Sequence, residues 1–180
     1  MFRHNKDRER LGAIYNEGNP LHIRIIILSD RASAGIYKDQ SGPTIHARLA
    51  AHFGALPHAV AISVIPDHAE QLRMALNHAI EEGTPLIITS GGTGVGPRDI
   101  TPDVVIELAD KIIPGIMEFI RIKHGAEFPP ALLSRSVAAV ARSTLIYALP
   151  GNPKAMDEYL DEILKTIDHL LCVIQGEDTH

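Results

Sequence analysis

The run Ile25, Ile26, Ile27, Leu28, inside the strand candidate HIRIIILS at residues 22–29, is apolar at successive positions. A strand with one wet face alternates apolar and polar side chains. One that is apolar on both faces must be covered by helices above and below, as in the middle of a parallel sheet. The rest of the chain supplies the partners. HAVAISVIP (58–66) and PLIITS (85–90) read as further strands. Between them, Ile45, Leu49 and Phe53 recur at near-helical spacing over 42–53. Leu72, Ala75, Leu76, Ala79 and Ile80 form one stripe over 69–82, ended by Gly83.

Thr101 and Pro102 then offer an N-cap and a first-turn proline to a helix through Ala109, and a second helical stretch covers 115–124. SVAAVARSTLIYALP reads as two strands joined at Arg142 and Ser143, a join so short that the pair must be antiparallel. A helix over 153–173 closes the pattern, with Met156, Leu160, Ile163, Leu164, Ile167 and Leu171 as its apolar stripe. The expected fold is a three-layer α/β/α sandwich on a mostly parallel sheet with one antiparallel strand.

A chain of 180 residues suits one such domain, placed at 21–180. Residues 1–20 are polar, lack periodicity and end in Gly18, Asn19, Pro20; they read as an N-terminal arm whose removal should leave the chemistry near normal. The chain is 45% hydrophobic and 22% charged, which excludes a disordered polyelectrolyte and a polytopic membrane protein. Its net charge of -5 gives no general pull toward nucleic acid or an anionic membrane, so any phosphate has to be held by a local site. The basic start MFRHNKDRERLG is followed by no apolar segment of signal-peptide length, and no run approaches a membrane span, so a cytoplasmic location is expected. A single cysteine, Cys172, excludes an intramolecular disulfide and a cysteine-built zinc site; its apolar surroundings place it in the core. The ten histidines show neither HxH nor HExxH spacing and are read as non-ligating.

Ligands of open α/β sheets settle outside the carboxyl ends of the strands. Four polar loops leave strand ends there: Ser29-Asp30-Arg31, Pro66-Asp67-His68, the glycine loop GGTGVGPRDITPD at 91–103, and Pro150-Gly151-Asn152-Pro153. The glycine loop carries four glycines in six positions, letting backbone N–H groups face a phosphate at close approach. It is neither a Walker A sequence nor the GxGxxG fingerprint. A Cβ at Gly92 would, on this reading, face the ligand. Asp99 and Asp67 are each open to two readings: a helix cap, or a carboxylate holding a divalent metal on substrate phosphates. In Leu133-Ser134-Arg135-Ser136, the arginine precedes a strand and is either a surface residue or part of the site.

In this order, SDRASAGIYKDQSGP, IPD, TSGGTGVGPRDITPD, LLSRS and LPGNP resemble the MogA/MoaB family of molybdenum-cofactor biosynthesis, on the molybdopterin adenylyltransferase branch that includes the G domain of gephyrin. The likeness runs from residue 22 to about 173. It implies transfer of AMP from ATP to the terminal phosphate of molybdopterin, with Mg2+ and release of pyrophosphate. Matched residue by residue, it implies catalytic and metal-holding roles for Asp67 and Asp99. It implies phosphate contacts for Gly91, Gly92, Thr93 and Gly94, and pocket walls from Ser29, Asp30, Arg31, Ser134, Arg135, Ser136, Pro150, Gly151 and Asn152. It also implies a homotrimer or hexamer that hands its product to the molybdate-insertion enzyme. A departure is His68, where the family often carries an acid after the strand-two aspartate. The competing reading is a non-catalytic homologue that holds molybdopterin as a binding or scaffold module.

Overall fold

The apolar runs pair as the sequence requires. In the computed structural model, which describes residues 2–176, strands β1 (Leu21–Leu28), β2 (His58–Ile65) and β3 (Leu86–Ser90) are parallel, with β1 in the middle. They continue through β6 (Thr144–Leu149) to β5 (Val137–Ala141) and the two-residue β4 (Lys111–Ile112), giving the order β2-β1-β3-β6-β5-β4. β6 is parallel to β3, whereas β5 is antiparallel to both β6 and β4. One strand therefore opposes the others, as expected. The β5–β6 join places Arg142 at φ 53, the left-handed conformation that so short a connection demands.

Helices cover both faces. Ile23, Ile25 and Ile27 of β1 pack on one side with α3 (Ser41–Phe53), α6 (Pro114–Gly125), α7 (Pro153–Ile163) and α8 (Ile167–Ile174). Ile26 and Leu28 pack on the other with α4 (Ala69–Glu81) and α5 (Thr101–Leu108). This division by parity is what two-sided burial of the isoleucine run means. Cys172 is buried in the first of these layers.

Several elements differ from expectation. The segment read as an arm contains α1 (Phe2–Ile14), and Leu11 and Tyr15 at its end are buried in the main core. After Phe2, its apolar positions are confined to Leu11, Ala13 and Ile14 at the end of the helix, so the polar stretch between hides the periodicity. Arg8 and Asp168 form an ion pair at 3.4 Å, His52 Nε2 lies 2.8 Å from the same buried carboxylate, and the helix packs on α8. Removing residues 1–20 would thus uncover core, which revises the expectation of near-normal behaviour. Leu11→Ala is expected to cost about 2–4 kcal/mol, read as a lower urea midpoint at unchanged m value.

The single closing helix is instead α7 and α8, separated at 164–166. Thr166 donates both its amide and its hydroxyl to the Ile163 carbonyl, at 3.1 and 3.2 Å, and this local bonding replaces a helical turn. A short helix α2 (Asp30–Ser33) and a 3-10 turn (Pro129–Leu133) were hidden in loops. Finally, Thr101 is not the N-cap of α5. That position belongs to Ile100, and the threonine side chain has a different task at the glycine loop. Among the described residues, no helix is long and apolar enough to cross a membrane.

Candidate active site

β2 lies on one side of β1 and β3 on the other, so the chain changes direction at the carboxyl ends of β1 and β3. Crevices at such switch points are where open α/β sheets bind ligands. A cavity of about 400 Å³ opens there, lined by Ser29, Ser90, Gly91, Gly92, Asp67 and Asp99 among others.

Its walls are built from backbone closely pressed together. Gly91 has φ 112, and a Cβ there would collide with the carbonyl oxygen of Leu28. The Gly91 amide donates to the Leu149 carbonyl at 3.0 Å, tying the loop to the end of β6. Thr101 Oγ1 donates to the Gly91 carbonyl at 2.8 Å, and the Thr101 amide to the Gly92 carbonyl at 3.0 Å. Gly92, at φ 63, directs its missing Cβ to within 2.7 Å of Thr101 Oγ1 and 3.7 Å of Asp67 Oδ1. The Cβ would therefore meet the protein before any ligand, which corrects the expectation for this glycine.

Arg135 is a buttress of this loop. It lines neither this cavity nor the one described below. Its Nε donates to the Gly94 carbonyl at 2.7 Å, and its two terminal nitrogens grip Asp103 at 2.8 and 3.0 Å. It also donates to the Asp99 carbonyl. The hydrogen bond from Arg135 holds the Asp103 carboxyl below its ordinary range.

The aspartates are not helix caps. His68, not Asp67, occupies the N-cap of α4. Asp67 and Asp30 instead exchange backbone bonds, Asp67 N–H to Asp30 Oδ1 at 2.9 Å and Asp30 N–H to Asp67 Oδ2 at 3.2 Å. Asp99 accepts the Gly96 amide at 2.8 Å, and a Cβ at Gly94 would stand 2.7 Å from the same oxygen, so a side chain there would displace the carboxylate. Burial, and then the charge of Asp99, pushes the Asp67 carboxyl above its ordinary value.

A second cavity of about 770 Å³ lies beyond the glycine loop. Val95, Phe128, Pro130, Leu133 and Tyr159 give it apolar walls, while Thr93, Gly94, Ser134, Pro150 and Asn152 supply polar ones. Gly92, Asp99 and Gly151 line both cavities. Tyr159 donates its hydroxyl to Ser134 Oγ at 3.0 Å, and Ser134 donates onward to Ser136 Oγ at 3.0 Å. Ser136 itself is buried away from both cavities. Asn152 caps α7 by accepting the Ala155 amide at 3.1 Å.

Ser29 caps α2 and lies 3.0 Å from the Tyr37 hydroxyl, while Arg31 turns onto the face of the Tyr37 ring at 5.3 Å and lines neither cavity. Residues not singled out from the sequence also belong here. Asp39 lines the first cavity and accepts the amides of Ser41 and Gly42 at 2.9 and 3.0 Å. An aspartate two residues before a helix-starting serine is a recognisable turn signal. Arg98 in the first cavity stands in the quoted motif of the glycine loop, directly before Asp99, whereas His124, Lys154 and Glu158 in the second carry no local pattern that marks them.

The comparisons with known proteins agree with this geometry. A family model described as "Probable molybdopterin binding domain" matches residues 24–169. The molybdopterin adenylyltransferase of Haemophilus influenzae is 38% identical over 144 residues, covering 79% of this chain and 73% of that protein. The enzyme of the same name from Helicobacter pylori is 34% identical over 87% of this chain and 89% of its own length. Among solved structures, the molybdopterin biosynthesis Mog protein from Mycobacterium ulcerans superimposes with a TM-score of 0.78 at 37% identity, over 85% of this chain and 98% of that one. The tungsten cofactor synthesizing protein MoaB from Pyrococcus furiosus gives a TM-score of 0.76 at 28% identity, over 88% and 98%. On the family match over residues 24–169 and the identity to these relatives, this chain belongs to the MogA/MoaB family of molybdopterin-binding domains.

Proposed function

We propose that the chain is a molybdopterin adenylyltransferase of molybdenum-cofactor biosynthesis. In the reaction, an oxygen of the terminal phosphate of molybdopterin attacks the α-phosphorus of ATP. The bond from that phosphorus to the bridging oxygen breaks, and pyrophosphate leaves with the electron pair. A phosphate oxygen is already a nucleophile at neutral pH, so the protein's work is positioning and neutralising charge. The observation that carries the reading is the pair of cavities, one acidic and one largely apolar, sharing a wall at Gly92, Asp99 and Gly151. The acidic cavity suits a metal-bound triphosphate, the apolar one a flat pterin, and the reacting phosphates meet at the shared wall.

Magnesium fits the acidic side. Burial and the charge of Asp99 both disfavour the ionised Asp67, and a cation held by the two carboxylates would offset both. Among the described residues no three His, Cys, Asp or Glu are grouped to hold an ion. Magnesium matches that arrangement, because it is commonly bound by one or two carboxylates with substrate phosphates and water completing its shell. Asp67 and Asp99 would hold it, and when bound it supplies charge neutralisation at the phosphates. With the Gly91 and Gly96 amides already donating within the protein, the other backbone amides of the glycine loop would serve the phosphates, and Arg135 fixes that loop from behind through Gly94, Asp99 and Asp103. The reading carries with it a cytoplasmic location, a trimer or hexamer, transfer of product to a molybdate-inserting enzyme, and no role for nucleic acid or membrane.

The test is incubation of the purified chain with molybdopterin, ATP and magnesium. Adenylylated molybdopterin and pyrophosphate are expected in equal amounts. Tight molybdopterin binding with no pyrophosphate released would replace the enzyme by a non-catalytic carrier.

A further inference from the structure

The acidic cavity already contains a cation of the chain's own. Arg98 is the one basic residue among the described residues lining it, beside Asp39, Asp67 and Asp99. Its guanidinium pairs with Asp30 Oδ2 and lies 3.7 Å from Asp67 Oδ2. The two aspartates it bridges are those that clasp each other through the backbone, so their carboxylates stay side by side whether or not the arginine is present. The arginine side chain is 65% exposed against 21% for Asp67, so charge rather than packing holds it. Its neighbour Asp99 is pinned by the Gly96 amide at 2.8 Å. Asp99 is thus held by a backbone bond, and the exposed Arg98 side chain by ion pairs.

We propose that Arg98 is a positioning residue that serves as a resident counter-ion of the Asp30–Asp67 pair and exchanges with the divalent cation. Without nucleotide, the guanidinium competes with the metal for Asp67. When a metal-bound nucleoside triphosphate enters, the cation takes over the carboxylate and the guanidinium turns to the incoming phosphates. Metal and nucleotide then bind together, because neither gains full compensation alone. The proposal rests on the reading of this cavity as a metal–triphosphate site. It differs from a staple between loops, since losing a staple would loosen Asp67 and leave metal affinity equal or lower.

The test uses Mn2+ as the probe, followed by electron paramagnetic resonance on the full chain, with no nucleotide or pterin present. Arg98→Ala is expected to bind Mn2+ about threefold to tenfold tighter than the parent, the range for removing one competing charge at a partly solvated site. Arg98→Lys, which keeps the charge, should stay near the parent. In the second arm, the magnesium complex of a non-hydrolysable ATP analogue should bind Arg98→Ala more weakly than the parent by a similar factor. Equal or weaker Mn2+ binding by a folded Arg98→Ala protein overturns the exchange, as does absence of Mn2+ binding in all three proteins. If the Mn2+ order appears but the parent forms no adenylylated molybdopterin, the exchange stands and the assigned pterin substrate falls.

Discussion

Asp67→Asn is expected to melt at a higher temperature than its parent while losing adenylylation by about a hundredfold or more, the range seen when a positioned charge is removed from a reacting centre. The two effects share one cause. Burial and the nearby Asp99 disfavour the ionised Asp67 in the folded protein, so its folded pKa lies above the ordinary, unfolded value of 3.8. Folding is then penalised once pH rises through that range and is unpenalised below it. The stability gain of the asparagine variant should be complete at neutral pH and should vanish as the medium is acidified past the ordinary carboxylate range. Asparagine can still accept the Asp30 amide, so the exchanged backbone bonds have no reason to break. Thermal melts of both proteins at pH 7 and near pH 3, beside single-turnover rates at pH 7, check each part. A variant that melts lower at pH 7 would show that Asp67 supports the fold, and one that reacts like its parent would remove it from the chemistry.

Gly91→Ala should do the opposite and damage the fold first. The backbone at φ 112 is closed to side chains, and the added Cβ would meet the Leu28 carbonyl oxygen, which belongs to the central strand and cannot move aside. Strain and overpacking together are expected to cost about 3 kcal/mol. For a chain of this size that lowers the melting temperature by roughly 6–12 °C. Calorimetry reads it directly; a loss below about 1 kcal/mol would mean that the loop can shift outward as a unit. Gly92→Ala is also strained at φ 63 but is a milder case, because the atom it strikes, Thr101 Oγ1, sits on a side chain that can rotate at the cost of its bond to the Gly91 carbonyl.

The sheet was legible because burial on two faces forces consecutive β-branched residues, and only a covered central strand tolerates them. The two-residue β4 was not, since Lys111 and Ile112 carry no alternation to detect. Nor was the division of the last helix: the apolar stripe runs on through Leu164 and Ile167, and only the hydroxyl of Thr166 marks the break. At the site, the loop positions after strands brought Asp67, Asp99 and the glycines to one cavity. What those side chains do there depends on neighbours distant in sequence. Arg31 precedes Tyr37 by six residues and is drawn onto its ring, while Arg135 reaches back 32 residues to Asp103. Such pairings are set by the closed fold and leave no local pattern.

Gly151 approaches Gly91 so closely that a Cβ on it would stand 3.2 Å from the Gly91 Cα. The partition between the two cavities is there a seam of bare backbone, closed to side chains from both directions. Sequence change at the seam is therefore costly whatever the ligand. The outer walls obey a looser rule: the side chains of Val95, Phe128 and Leu133 are exposed. On the proposed reading of the two cavities, substitutions at the periphery would change which flat molecule is admitted and leave the partition untouched. The cost of substitution is thereby divided in space, higher along the seam than at the rim.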